Sequence, residues 1–391
     1  APATRERLDK AGVKPSDIRT TKDLELIPPI TRDEVIQLQK ANPPFGGLLA
    51  VPKERIYRVI YSPGPIYFPF SSPEFARPAL KALHAAGVRK GDMIICSWPM
   101  LFGAGILIND AAVLGGMIPI PAGTGNTEVQ VNMIRDLGVE GYAGSPTFLM
   151  NIVRKAEELG YNFRREFKLR SALVSGEPVL PELRNTLEQN YGINLTDGWG
   201  GFAAIWMGCE CSQKNGCHVH EEVFLEVVDP DTGKRLGPGE VGAMVVTALY
   251  HNDAFQTIRY LTGDLTVYTD EPCVCGRTSI RFMGAMGRIG ESLKVRGLYL
   301  TPGQVRAVLS RFPAIANFQV IVGRAGYRDE ITIDLELADE TTDRDVLSKC
   351  LQTGFQDACR LRFDSINFVP RGTIPEEHKT IVDERNWQVK K

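Results

Sequence analysis

The chain lacks most of what would mark a binder of nucleic acid or lipid. In 391 residues there is no Lys/Arg-dense block, and 45 basic residues against 47 acidic ones leave a net charge of −2. That balance argues against nucleic acid or an anionic membrane as the main partner. No apolar run reaches the length of a membrane span, because the stretch from Leu101 to Ile118 is broken by Asn109 and Asp110. The start, Ala1-Pro2-Ala3, shows neither an initiator Met nor a signal-peptide pattern, as expected of a processed or truncated beginning. Internal repeats and low-complexity stretches are missing as well. Of eight cysteines, five fall between Cys209 and Cys275. In a long chain with no secretory signal, that clustering points to a reduced, cytoplasmic protein with a metal site rather than to a disulfide framework.

What is present is ordinary for a globular protein: 43% hydrophobic and 24% charged residues. The length suits about two or three domains and buries about three quarters of the unfolded surface without a staple. Residues 1–50 read as short helices and turns, punctuated by Pro28-Pro29 and Pro43-Pro44. From Ile56 to Asp197 short apolar strands alternate with helices of ten or more residues, which predicts βαβ units and a largely parallel sheet. Expected strands include Ile94–Trp98, Met117–Pro121, Gly141–Gly144, Ala172–Ser175 and Asn194–Asp197. After Gly201 the pattern turns β-rich, with Val223–Asp229 and Val241–Leu249 around a Pro-Asp-Thr-Gly turn. Past Gly297 a compact βα sandwich is expected, with strands Phe318–Val322, Ile331–Leu337 and Ile366–Val369 and a helix Thr342–Ala358. The expected fold class is α/β. A large domain over residues 1–287 carries mostly parallel sheets plus a β-rich section, and a small mobile α+β domain spans 288–391.

The chemistry concentrates between Arg259 and Gly297, where a turn-borne carboxylate, a thiolate pair and a basic glycine-rich joint follow one another. Asp264, after Tyr-Leu-Thr-Gly, offers about four acceptor sites when ionised, enough for two sugar hydroxyls. Ser175-Gly176-Glu177-Pro178 follows a strand and precedes a helix, a place for a ligand edge. Trp199, beside Gly200 and Gly201, is a flat aromatic that can stack on a base, although a core Trp is the commoner use. Cys211, His218, Cys273 and Cys275 offer the thiolate and imidazole ligands of a closed structural zinc site. Cys209, Cys217 and His220 are neighbouring competitors, so the ligand set stays open at this point.

The ordered set Gly125-Asn126-Thr127-Glu128, Ser175-Gly176-Glu177-Pro178, Tyr260-Leu-Thr-Gly-Asp264, Cys273-Val-Cys275-Gly-Arg277-Thr278 and Gly287-Arg288 resembles the phenylacetate–CoA ligase family of adenylate-forming acyl-CoA synthetases. The resemblance covers nearly the whole chain, with Ala11-Gly12-Val13 through Pro52 similar to the family's N-terminal region. It implies a two-step reaction using ATP with Mg²⁺ and coenzyme A. A carboxylic acid becomes an acyl-adenylate, and coenzyme A thiol then displaces AMP. It implies that Ser175, Gly176, Glu177 and Pro178 line the adenine, that Trp199 takes the place of the stacking aromatic with Gly200 also at the nucleotide, and that Asp264 holds the ribose. Arg288 would begin a hinge with its pivot near Gly290 or Glu291. Lys379, in Gly372-Thr-Ile-Pro375-Glu-Glu-His378-Lys379, would bridge acid and α-phosphate, with Lys294 counted beside Arg288 and Lys379 among the catalytic residues. Cys and His often stand at the four zinc positions in this family.

Two family motifs are altered. The phosphate loop, normally rich in Ser, Thr and Gly with a Lys, reads Tyr61-Ser62-Pro63-Gly64-Pro65-Ile66-Tyr67, and its two prolines have no N–H to offer a phosphate. Phe202 and Ala203 stand where the family carries a Ser or Thr and then a Glu that helps hold Mg²⁺. An adenylating ligase is therefore the leading expectation, and a non-catalytic adenylate- or acyl-binding homologue is the alternative. Phe68, Phe102, Phe202 and Trp206 can line an aryl pocket or shrink it around a short branched or hydroxylated acid. A homodimer is the default expectation for assembly.

Overall fold

A computed structural model describes the chain except residues 63–64, 201–205, 231, 241, 250–252, 285–286, 290–292, 297, 301, 327, 339–342, 360 and 386–391. For residues 288, 294, 298, 299, 302–304 and 307 it describes the backbone alone. The chain divides into two compact units, Ala1–Ile289 and Gly290–Lys391. No helix among the described residues is long and apolar enough to cross a membrane.

The large unit opens with helices α1 (Pro2–Lys10) and α2 (Arg32–Ala41) and the hairpin β1 (Arg58–Ser62)–β2 (Ile66–Phe70). It continues through α3 (Arg77–Ala86), β3 (Met93–Cys96), α4 (Gly103–Leu114), β4 (Ile118–Pro121), α5 (Thr127–Asp136) and β5 (Gly141–Gly144). Then come α6 (Pro146–Glu158), α7 (Phe163–Glu166), β6 (Ser171–Val174), α8 (Pro181–Asn185) and β7 (Asn194–Gly200). Local sequence explains the helices. Thr31 and Glu34 form a reciprocal capping box at the start of α2. Ser145 caps α6 just ahead of Pro146 at its first position. Helix α3 ends at Gly87, whose φ of +100° closes the last turn at no steric cost. On α3 the buried Ala79, Ala82, Leu83 and Ala86 fall at three- and four-residue steps, forming one stripe turned to the core.

Strands β4, β3, β5, β6 and β7 lie side by side in that order and run parallel. The chain order reverses between β3 and β5, which makes that gap the sheet's topological switch point. A largely parallel sheet was expected here. The sheet instead continues antiparallel through β8 (Trp206–Glu210), β9 (Cys217–Val219), β14 (Arg281–Phe282) and β13 (Tyr268–Thr269) to nine strands. Glycine makes that extension possible. A Cβ on Gly198 or Gly200 would come within 2.4 or 2.6 Å of the Trp206 ring, and one on Gly208 within 2.3 Å of the His218 carbonyl oxygen. At the other border, β4 reads Ile-Pro-Ile-Pro. The Ile118 N–H donates inward to Asp92 O. By the two-residue alternation Pro119 and Pro121 therefore face outward, where an N–H would stand unpaired.

A second sheet of the large unit orders β10 (Val223–Val228), β11 (Gly242–Ala248), β12 (Tyr260–Thr266) and β15 (Gly287–Arg288), all antiparallel. Arg259, 1% exposed and at φ +50°, enters β12 by pairing with Glu226 at 3.1 Å and donating to the carbonyls of Ile27 and Gly233, each at 2.8 Å. One buried guanidinium thus ties the N-terminal segment and a turn to the strand that carries Asp264.

In the small unit, β16 (Leu293–Val295) and β17 (Leu298–Leu300) form a hairpin ahead of α9 (Pro302–Leu309). The long hairpin β18 (Ile315–Ala325)–β19 (Arg328–Leu337) is flanked in parallel by β21 (Ile381–Asp383) and β20 (Ser365–Val369). Helix α10 (Arg344–Cys359) buries Leu347, Leu351, Phe355 and Cys359, one per turn, against a core that includes Val320, Val322, Ile331, Ile333 and Leu335.

Candidate functional site

The carboxyl ends of β4, β3, β5 and β6 gather the loops after residues 121, 96, 144 and 174 on one rim. Gln130 of α5 organises two of them. Its buried amide accepts from Ser97 Oγ at 2.7 Å and donates to the carbonyls of Gly123 and Gly125, each at 2.9 Å. The sequence reading passed over this residue. Its one signal is a glutamine set among the inward-facing Val131 and Ile134. Ser175 is buried at the end of β6, and Gly176 takes φ +97° so the chain can turn back. Glu177 then accepts from the Thr147 N–H at 2.8 Å, fastening the β6 loop to the first turn of α6. Trp199 is half-buried on β7 and meets Phe282 edge to face, with centroids 5.8 Å apart. Gly198 and Gly200 make room for Trp206 on the face opposite to Trp199.

Asp264 stands in a break in the ladder. Between Ala243 and Val245 strand β11 advances two residues while β12 advances four, from Leu265 back to Leu261. The surplus falls on Thr262-Gly263-Asp264, with Gly263 at φ +82°. Such a bulge re-aims a side chain out of the sheet's alternation. On its other side Asp264 is in register with Arg288, and the Ile289 N–H donates to Gly263 O at 2.6 Å. The ribose candidate and the hinge candidate are therefore neighbours on paired strands at the end of the large unit.

The remaining candidates fall as follows. Tyr61 and Ser62 end β1, with the Tyr61 ring stacked on Phe102 at 6.1 Å. Phe68 is 1% exposed and meets Phe255 edge to face, a core position. Trp206 is 1% exposed and tilts against Trp98. Gly64, Phe202, Gly290 and Glu291 lie outside the described residues, as do the side chains of Arg288 and Lys294. Lys379 is exposed in the loop between β20 and β21 of the small unit.

Four side chains from three places meet at the antiparallel end of the nine-stranded sheet. Cys211 directly follows β8, His218 is on β9, and Cys273 and Cys275 are in the loop between β13 and β14. Their ligand atoms lie within 4.8 Å of one another, the one such group of three or more among the described residues. Cys211 Sγ is 3.7 Å from Cys273 Sγ, and Cys275 Sγ is 3.4 Å from His218 Nε2. A zinc tetrahedron with ordinary Zn–S and Zn–N bonds has edges of about 3.8 and 3.6 Å, so the donor set fits that ion. The other ring nitrogen, Nδ1, faces Ser279 Oγ at 3.3 Å, which leaves Nε2 for a metal. Desolvation and then the Arg277 guanidinium lower the His218 pKa, keeping the imidazole in its ligating neutral form. The competitors separate from the set. Cys217 is in register with Glu210, off the His218 face, and its buried thiol titrates well above the ordinary range. Burial pushes Cys209 up to about 12.

Residues 76–248 match the family model of AMP-binding enzymes, and residues 297–385 match that of the AMP-binding enzyme C-terminal domain. A phenylacetate–coenzyme A ligase of Thermus thermophilus is 34% identical over 86% of this chain and 77% of its own length. One from Escherichia coli K12 is 28% identical over 87% of this chain and 79% of its own. Among solved structures, a 2-hydroxyisobutyryl-CoA ligase holding 2-HIB-AMP and CoA superposes with a TM-score of 0.88, covering 98% of this chain and 86% of that one at 23% identity. That last likeness is one of fold. The chain belongs to the phenylacetate–CoA ligase family of AMP-binding enzymes.

Proposed function

We propose that the chain is an AMP-forming acid–thiol ligase that activates a carboxylic acid with ATP and passes the acyl group to coenzyme A. The carrying observation is Asp264, displaced from its ladder and paired in register with Arg288 on the last strand before the division between units. In the first step a carboxylate oxygen attacks the α-phosphorus, an acyl–phosphate bond forms and pyrophosphate leaves. In the second, the coenzyme A thiol attacks the acyl carbon, losing its proton, and AMP leaves as that carbon–oxygen bond breaks. The protein's part is positioning and charge neutralisation. Glu177 and Gly176 shape the adenine edge, Trp199 offers its face, and Asp264 accepts from the ribose hydroxyls. Lys379 brings a mobile ammonium to carboxylate and phosphate, and the small unit turns about residues 288–291 between steps. Phe202 and Ala203 supply no carboxylate where the family holds Mg²⁺, so no step is assigned to a protein-held magnesium ion.

Cys211, His218, Cys273 and Cys275 hold a structural zinc ion in this reading, pinning β8 and β9 to the loop that leads towards β15. Eight unpaired thiols suit a reduced, cytoplasmic setting. The acid is an aryl-acetate or a small branched or hydroxylated acid, as the names of the relatives suggest.

Pyrophosphate release with ATP, Mg²⁺ and a panel of both acid classes tests the activity. Lys379→Ala should lower adenylation by at least about a hundredfold while sparing thioester formation from supplied acyl-adenylate. The altered loop Tyr61-Ser62-Pro63-Gly64-Pro65 favours a second reading, a non-catalytic adenylate or acyl binder. Silence across the whole panel, with AMP still bound, would select it.

A further inference from the structure

Lysine is a poor positioning group by itself, because its flexible four-carbon stem loses rotamer freedom when it is held in one place. A Lys that must meet a phosphate therefore gains from a backbone that holds still. The loop bearing Lys379 has no regular structure between Val369 and Ile381, yet it is tied down at several points. Upstream, the Ile374 N–H donates to the buried Glu336 carboxylate at 2.7 Å. Downstream, Arg306 of α9 donates to Thr380 Oγ1 at 2.7 Å, and the Val320 N–H donates to Thr380 O at 2.9 Å. Gln319 Nε2 donates to the Lys379 carbonyl at 3.1 Å.

The closest tie on the N-terminal side of Lys379 is His378. Its Nε2 lies 2.9 Å from the Phe318 carbonyl oxygen on β18, and its Nδ1 lies 2.6 Å from the Pro375 carbonyl oxygen three residues earlier. Both neighbours are acceptors, so the neutral ring donates to one of them at a time and the protonated ring to both. One bond crosses from the loop to the sheet, and the other folds the loop on itself. With Gln319 next to Phe318, two consecutive residues of β18 grip two consecutive residues of the loop.

We propose that His378 is a positioning residue for adenylation: its ring straps the Lys379 loop to the Phe318 carbonyl of β18 and so fixes where the Lys379 ammonium is launched. The inference rests on the reading of Lys379 as the adenylating lysine. A strap acting through Lys379 moves the turnover of one half-reaction, not the binding of its substrates, since ATP and acid are held by the large unit.

Glutamine and asparagine separate the two bonds. A Gln amide nitrogen reaches about where Nε2 stands, and an Asn amide nitrogen about where Nδ1 stands. Acid-dependent ATP–pyrophosphate exchange is measured on the full chain for the unmodified protein and for Lys379→Ala, His378→Ala, His378→Asn and His378→Gln. In His378→Ala and His378→Asn, kcat for exchange should fall roughly tenfold to a hundredfold, with KM for ATP and acid unchanged. His378→Gln should restore most of it, and thioester formation from supplied acyl-adenylate should be unaltered in all three. Trypsin gives a readout that needs no activity, because Lys379–Thr380 is itself a cleavable bond. His378→Ala and His378→Asn should be cut there faster than the unmodified chain and His378→Gln at the unmodified rate, with thermal midpoints unchanged. Exchange lost in Lys379→Ala but kept in His378→Ala overturns this inference alone. Exchange kept in Lys379→Ala overturns the assignment of the lysine and this inference with it. Rescue by Asn and not by Gln puts the effect on the Pro375 bond and overturns the strap to β18.

Discussion

Asp197 stands on β7 two residues before Trp199. Desolvation, and after it the Glu210 carboxylate, push its pKa up to about 8 against the pull of Arg184. Glu210 is committed elsewhere, since Arg184 grips both its oxygens at 2.9 Å and the Asp197 N–H donates to one of them at 2.9 Å. In the unfolded chain an Asp titrates near pH 4. Between about pH 4 and 8 the folded chain thus keeps a proton that the unfolded chain has released. The stability from that proton is complete below the unfolded value and is lost as pH rises through the folded one, at up to about 1.4 kcal/mol per pH unit. Asp197→Asn is neutral throughout and should flatten this slope in urea denaturation from about pH 5 to 8. Identical slopes in the two proteins would show that Asp197 ionises freely. At this scale a residue's place was readable where its neighbours along the chain mark it, as with Asp264 after Thr-Gly, where the ladder breaks. Arg259 and Gln130 were not readable. Arg259 meets a carboxylate and carbonyls brought in from distant segments, Gln130 meets the Ser97 hydroxyl and two loop carbonyls, and neither residue type advertises burial.

The proposed zinc clip belongs to the scale of elements. It joins the end of one strand, the middle of the next and a loop more than fifty residues on, and the β13–β14 loop has little apolar packing of its own, with Val274 90% exposed. Metal binding then becomes folding energy for this corner, on the order of 10 kcal/mol in apparent terms. Purified protein should carry one zinc per chain, and Cys273→Ser should lose it together with several degrees of thermal midpoint. A metal-free chain of unchanged stability would remove the ion from the account. The four side chains that cluster were already candidates in the sequence, and register sets Cys217 aside, opposite Glu210, while leaving Cys209 opposite His218. Short parallel strands were equally plain: Gly141–Gly144 falls where its apolar run and flanking turns place it. The antiparallel continuation was hidden, because Gly198, Gly200 and Gly208 erase the alternation that marks a strand. The hairpin β18–β19 outgrew its expected strands for a related reason. Its ends are polar and pair through backbone, which hydrophobic pattern does not report.

At the scale of the whole molecule, each unit has an apolar core of its own, one with residues from Ala3 to Phe282 and the other with residues from Leu293 to Ile381. Each has its own sheet and covering helices, so each should fold by its own cooperativity. Residues 290–391 expressed alone are expected to give a sigmoidal thermal transition with native-like circular dichroism. A fragment that melts without a transition would mean that its core borrows from the rest. The same view gives meaning to the Ile-Pro-Ile-Pro border. A nine-stranded platform with a bare flank would invite another copy to zip on, and then another, into a filament. By presenting pyrrolidine rings where amide protons would be, β4 denies an incoming backbone its first handholds, and the platform can be broad without becoming sticky.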